Sequence, residues 1–126
     1  MISIQQILNS PFNSNTYLVF DEAGDIITVI DPGAFESDYL LNILSKKVKT
    51  EYLNVILTHE HFDHVAGLIQ LCRTYKVQLI TSKKCLVNLN DPKKNLSQFL
   101  DCEIINAINP YKVYPIIDYQ KITINK

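Results

Sequence analysis

The chain has 126 residues, 47% of them hydrophobic and 20% charged, which fits one folded domain or part of one, argues against a disordered segment, and gives no sign of two domains. Twelve Lys and Arg stand against thirteen Asp and Glu, a net charge of −1 with the signs interspersed, so no basic stripe awaits nucleic acid and no polybasic patch a membrane. Met1 to Leu8 lacks the basic region, long apolar core and cleavage site of a secretory leader, no later apolar run approaches the ~20 residues of a bilayer span, and the expected location is the cytoplasm.

Ile2, Ile4 and Ile7-Leu8 alternate as a first strand that ends in the turn Asn9-Ser10-Pro11. Thr16 to Phe20 is β-branched and aromatic, Asp21 to Asp25 reads as a hairpin turn, and Ile26 to Ile30 is a third strand stopped by Asp31-Pro32-Gly33. From Ser37 to Val48 the apolar positions Leu40, Leu41, Leu44 and Val48 recur at helical spacing, with Lys46 and Lys47 in the last turn, where they suit the helix dipole. Tyr52 to Leu57 is a short buried strand. Val65, Leu68, Ile69, Cys72 and Tyr75 mark the inner stripe of a second helix, for which Asp63 is the expected N-cap. Val77 to Thr81 is a strand, Ser82 caps a helical turn through Leu89, and Asp91-Pro92 opens a polar connector before Leu96 to Leu100. Tyr111 to Ile117 and Ile122 to Ile124 are expected as strands joined across Asp118.

This order, antiparallel strands followed by strands linked through crossover helices, predicts an α/β (α+β) fold with one mixed sheet. Several strands are apolar on both faces. The crossover helices cover one face, and nothing obvious in the sequence covers the other. Cys72, Cys85 and Cys102 are odd in number and lack C-x-x-C spacing, which argues for free thiols or small buried residues rather than a disulfide framework. Asn95-Leu96-Ser97 is formally a glycosylation acceptor, without meaning in a chain that is not secreted.

The stretch Thr58 to His64, T-H-E-H-F-D-H, holds all three histidines of the chain. Imidazole and carboxylate are ligands for zinc and iron, and four of them, His59, His61, Asp63 and His64, sit at the carboxyl end of a strand, where ligand sites gather in α/β proteins. In extended backbone His59 and His61 point to one side and can clamp one cation. Asp63 and His64, at the strand-to-helix turn, reach a second point, which favours two metals over one four-ligand cage. The helical H-E-x-x-H of zinc proteases is excluded, because position 63 is aspartate.

His59-Glu60-His61-Phe62-Asp63-His64 resembles the H-x-H-x-D-H motif of the metallo-β-lactamase superfamily, and Gly67, Asn15 to Val19 and Ile30-Asp31-Pro32-Gly33 are similar to that family in the same order. Asp91-Pro92 through Asn95-Leu96-Ser97 resembles the connector of small glyoxalase II-like hydrolases. The resemblance implies the N-terminal half of an αββα sandwich and a binuclear zinc hydrolase, with iron as the other metal. His59 and His61 would bind the first ion, Asp63 and His64 the second, and Asp63 would also count among the catalytic groups. A hydroxide bridging the metals would attack a small acyl thioester, ester or lactone, as in hydroxyacylglutathione hydrolysis. Asp31 would orient a ligand from behind, or would simply be a turn residue before Pro-Gly. Histidine at 61 counts against the di-iron flavoprotein branch, and the lack of a basic surface against the nucleases.

In the family a further histidine follows the strand pair that Tyr111 to Ile124 resembles, and this chain stops at Lys126. Four of the family's seven protein ligands are therefore expected here. Asp118 could add a carboxylate but better marks a turn. The expected consequences are weak metal binding, little hydrolysis by the chain alone, and self-association, or pairing with a second chain, through the uncovered sheet face. The competing expectation is a non-catalytic half-fold or binding module that keeps the motif without activity.

Overall fold

The computed structural model describes residues 1–100 and 108–124. One mixed sheet runs in sequence order, β1 (Ser3–Leu8), β2 (Asn15–Phe20), β3 (Ile26–Ile30), β4 (Tyr52–Ile56), β5 (Lys76–Ser82) and β6 (Lys112–Ile116). The first three strands are antiparallel hairpins and β3 to β6 are parallel. Each parallel step moves the same way across the sheet, and right-handed crossovers then place the connecting helices on one face.

Those helices are α1 (Asp38–Lys47), the short α2 (Phe62–Val65), α3 (Leu68–Thr74) and α4 (Lys83–Leu89). Ser37 caps α1 by accepting the Leu40 amide at 3.1 Å, and Lys46 and Lys47 close its last turn, as its sequence predicts. Leu40 and Leu44 of α1, Val65, Leu68 and Leu71, and Cys85 and Leu89 of α4 pack with Leu18, Val29, Leu53, Val55, Val77 and Leu79 of the sheet in one buried cluster.

The second helix differs from its prediction. It breaks into α2 and α3 at Ala66-Gly67, and His61 occupies the N-cap position while Asp63 lies inside α2. The cause is the Pro32 carbonyl, which takes the Gly67 amide at 2.8 Å, so that amide leaves the helical ladder. A Cβ on Gly67 would meet the oxygens of Ala34 at 2.5 Å and Pro32 at 2.8 Å. Gly67 is thus a point of backbone contact between α3 and the Asp31-Pro32-Gly33 loop.

The predicted strand at Ile122 to Ile124 also does not form. A turn closed by the Gln120 amide on the Ile117 carbonyl, with Tyr119 at φ 60°, carries the chain away from the β6 edge. Residues 120–124 instead line a cavity of about 570 Å³ over the second face of the sheet, together with Tyr52, Asn54, Gln78, Ile80 and Tyr114. They cover that face only in part. The register aligns Tyr17, Ile30, Ile56, Ile80 and Tyr114 in a row across β2 to β6, and of these only Ile80 is buried. Cys72 and Cys85 are free thiols; Cys102 lies outside the described residues. No helix among the described residues is long and apolar enough to cross a membrane.

Candidate metal centre

The sheet brings the ends of β3 and β4 side by side, with the Asp31 amide donating to the Ile56 carbonyl at 3.0 Å just beyond the paired residues. The next residues are then Asp31 on one strand and Thr58-His59 on the other. Asp31 is 4% exposed and adopts a left-handed backbone, φ 50°, which turns its carboxylate across toward β4. One oxygen accepts the Thr58 amide at 2.8 Å; the other accepts the Thr58 hydroxyl at 2.5 Å and meets His64 Nδ1 at 3.0 Å.

Donor and acceptor rules fix the two imidazoles. An ionised carboxylate only accepts, so His64 carries a proton on Nδ1 and, as a neutral ring, presents its Nε2 lone pair on the other side. Thr58 spends its single proton on Asp31, so its 2.8 Å contact with His59 Nδ1 also takes a proton from the ring. His59 therefore presents Nε2 as well. One buried carboxylate thus sets the tautomer of both rings, directly at His64 and through Thr58 at His59.

The expected ligands are brought together. The His59 ring lies 4.7 Å from that of His61 and 4.2 Å from that of His64, centre to centre. Asp63 Oδ2 is 3.7 Å from His64 Nε2. Two ligands of one tetrahedral ion with bonds of about 2.1 Å stand roughly 3.4 Å apart, so this pair fits a shared cation with little movement. Among the described residues, the group whose donor atoms lie within 4.8 Å of one another is Asp31, His59 and His64. It includes Asp31 in place of His61 and Asp63, yet both Asp31 oxygens are already engaged, and the geometry makes Asp31 the residue that orients the rings. Burial is the first cause that lowers the His59 pKa, followed by the neighbouring His64 and His61, which favours the neutral, metal-ready ring. Asp118, in the exposed turn after β6, is not part of this group.

Two further supports were not assigned from the sequence. Glu60 accepts a 2.8 Å hydrogen bond from Asn88 of α4, which anchors the residue between His59 and His61. The carbonyl of fully buried Asn95 accepts the Phe62 amide at 2.9 Å and so fixes the entry to α2. Thr58 carried a usable signal, as a hydroxyl beside the first histidine. Asn88 and Asn95 carried none, because their partners are distant in sequence.

A family model, the metallo-beta-lactamase superfamily, matches residues 9–118. The chain belongs to that superfamily. It is 33% identical over 79 residues to the hydroxyacylglutathione hydrolase of Pelagibacter ubique (strain HTCC1062), a stretch that covers 62% of this chain and 31% of the relative. The crystal structure of BLEG-1 B3 metallo-beta-lactamase superposes with a TM-score of 0.75 at 24% identity, over 97% of this chain and 56% of that one. The shared fold accounts for the mixed sheet. The chain spans about a third of the length of the curated relative and little more than half of the solved structure.

Proposed function

We propose that this superfamily chain forms part of a binuclear metallohydrolase that cleaves small acyl thioesters or esters, in the manner the name of the Pelagibacter relative describes. The observation that carries the reading is the pair of imidazoles held through Nδ1 by Asp31 and Thr58, so that Nε2 is the nitrogen left for a metal, with Asp63 Oδ2 3.7 Å from His64 Nε2. On this reading His59 and His61 hold one ion, and Asp63 and His64 the other. Zinc suits imidazole and carboxylate donors, and iron is the second candidate. Bound metal supplies an acidified water and a positive charge at the developing oxyanion. The chain's own residues orient those ligands, and Asp63, in the short helix α2, is on this reading the carboxylate that acts in the reaction.

Four side chains shared between two ions leave each with two protein ligands, whereas catalytic zinc ordinarily has three. Weak metal binding and little hydrolysis by the chain alone are part of the proposal. So is self-association through the sheet face of Tyr17, Ile30, Ile56 and Tyr114, which sedimentation velocity over a range of concentrations tests.

The deciding experiment measures zinc and iron per chain in the purified protein and its His59→Ala variant, with hydrolysis of a hydroxyacylglutathione thioester followed in parallel. Metal lost in the variant supports the reading. Metal content indifferent to His59, together with no thioester cleavage after metal is added, points to the non-catalytic half-fold instead.

A further inference from the structure

Behind Asp31 lies a buried polar chain that the proposed metal chemistry does not use directly. Thr16, 1% exposed, donates its hydroxyl proton to the Asp31 carbonyl at 2.7 Å and accepts the Gly33 amide at 3.3 Å. The same oxygen accepts Asn9 Nδ2 at 2.8 Å, and Asn9, also buried, gives its other bond to Ser14 Oγ at 3.1 Å. The Thr16 hydroxyl is therefore saturated, with one proton given and two accepted. It bridges both sides of Pro32, at the point where Asp31 takes its left-handed turn.

We propose that Thr16 and Asn9 are positioning residues for the metal centre, acting through the Asp31 backbone on the ring orientation and tautomer of His64 and His59. The inference rests on the reading above that these two rings are ligands presenting Nε2. The left-handed conformation costs less for Asp and Asn than for other residues with a side chain, and it is held where the surroundings bond the backbone on both sides of it. Thr16 holds it by gripping the carbonyl of Asp31 and the amide of Gly33 together. With the hydroxyl removed, the Asp31 carbonyl and the Gly33 amide lose their buried partner, and the turn relaxes to recover one. The carboxylate on that turn then loses its aim at Thr58 and at His64 Nδ1. Asn9 acts one step further back, since its amide holds the Thr16 oxygen and leaves the hydroxyl proton to the Asp31 carbonyl.

The alternative is that Thr16 only satisfies a buried turn and contributes stability alone. The two roles separate on the tautomers. The ring nitrogen shifts of His59 and His64 are recorded by ¹⁵N NMR on the metal-free chain, and zinc affinity is measured by competition with a chromophoric chelator. Wild type, Thr16→Val, Thr16→Ser and Asn9→Ala are compared. Thr16→Val is expected to replace the single Nδ1–H pattern with a tautomer mixture and to weaken zinc at least tenfold; Thr16→Ser is expected to restore both. A Thr16→Val chain that melts earlier but keeps wild-type tautomers and affinity overturns the inference. Should Thr16→Val not fold, Asn9→Ala decides on the same readouts. A wild-type chain that takes up neither zinc nor iron and cleaves no thioester after metal is added, while its tautomers respond to Thr16→Val, refutes the hydrolase reading and leaves the positioning of the two rings standing.

Discussion

The Asp31 carboxylate stands 3.0 Å from His64 Nδ1, on the side of the ring opposite the nitrogen that faces Asp63. Asp31 therefore acts on the site from behind. Asn at this position tolerates the left-handed backbone, so Asp31→Asn should fold. Its amide cannot accept at both oxygen positions, so either the Thr58 amide loses its acceptor or the Thr58 hydroxyl and His64 Nδ1 lose theirs together. Zinc affinity is expected to fall by about 10- to 100-fold, the usual effect of removing a partner that orients a metal-binding histidine. Chelator competition measures it, and an unchanged affinity would remove Asp31 from the centre.

Gly33 and Gly67 are the two places where the Asp31 loop touches the α2–α3 backbone. A Cβ on Gly33 would sit 1.9 Å from the Asp63 carbonyl oxygen, and one on Gly67 2.5 Å from that of Ala34. Neither contact can be relieved by a side-chain rotation. Gly33→Ala and Gly67→Ala should each cost about 1–3 kcal/mol or more, the range for overpacking, as read by chemical denaturation. Gly33→Ala should in addition weaken zinc, because it displaces Asp63 itself. Equal metal affinity in the two variants would show that the Asp63 backbone is not held by this contact.

How much of this was legible depends on range. The hexapeptide His59 to His64 is contiguous, so its candidate ligands could be picked out from spacing alone, and α1 announced itself through Ser37, Leu40, Leu44 and Lys46-Lys47. The break at Gly67 could not be read, because a helical stripe continues through Val65, Leu68 and Cys72 while the carbonyl that ends the ladder belongs to Pro32. Ile122 and Ile124 alternate like a strand, yet the turn at Tyr119 sends them over the sheet rather than along its edge. The chain from Asn9 through Thr16 and Asp31 to His64 joins four elements distant in sequence, and hydrogen bonds across such distances leave no periodicity.

The thiols give a pH dependence. Burial raises the pKa of Cys85, opposed by a hydrogen bond with Thr81, and burial likewise raises that of Cys72. An unfolded thiol ionises near 8.5 while the folded one stays protonated, so the unfolded state holds fewer protons above that pH. The thiol contribution is complete below pH of about 8.5 and is lost as the pH rises through the folded-state values. In a Cys102→Ser background, denaturant stability should decline above that pH, and alkylation of Cys85 should be slow until the chain unfolds. Rapid labelling at neutral pH would show that Cys85 is accessible.

Asn95 ties the connector after α4 to the turn that carries the candidate metal ligands. Its side chain is fully buried and engaged at both ends, with Nδ2 on the Leu89 carbonyl at 2.9 Å and Oδ1 on the Ser97 amide at 2.8 Å. A buried side chain so engaged is closed to glycosylation in the folded protein, whatever the formal sequon. Asn95→Ala strands a buried carbonyl and a buried amide, each costing about 1–3 kcal/mol. The loss should reach the metal site, since the Asn95 carbonyl also holds the Phe62 amide at 2.9 Å. Phe62 packs edge-to-face on Phe12 with ring centres 4.8 Å apart, so a loosened connector frees one side of α2 while the aromatic contact holds the other. Hydrogen exchange separates the two effects. At conditions where the variant remains folded, the Phe62 amide should exchange faster than in the wild type while Leu79, in the centre of β5, keeps its protection. Uniform acceleration at both amides would mean that Asn95 supports the fold as a whole and gives the candidate metal-binding turn no local support.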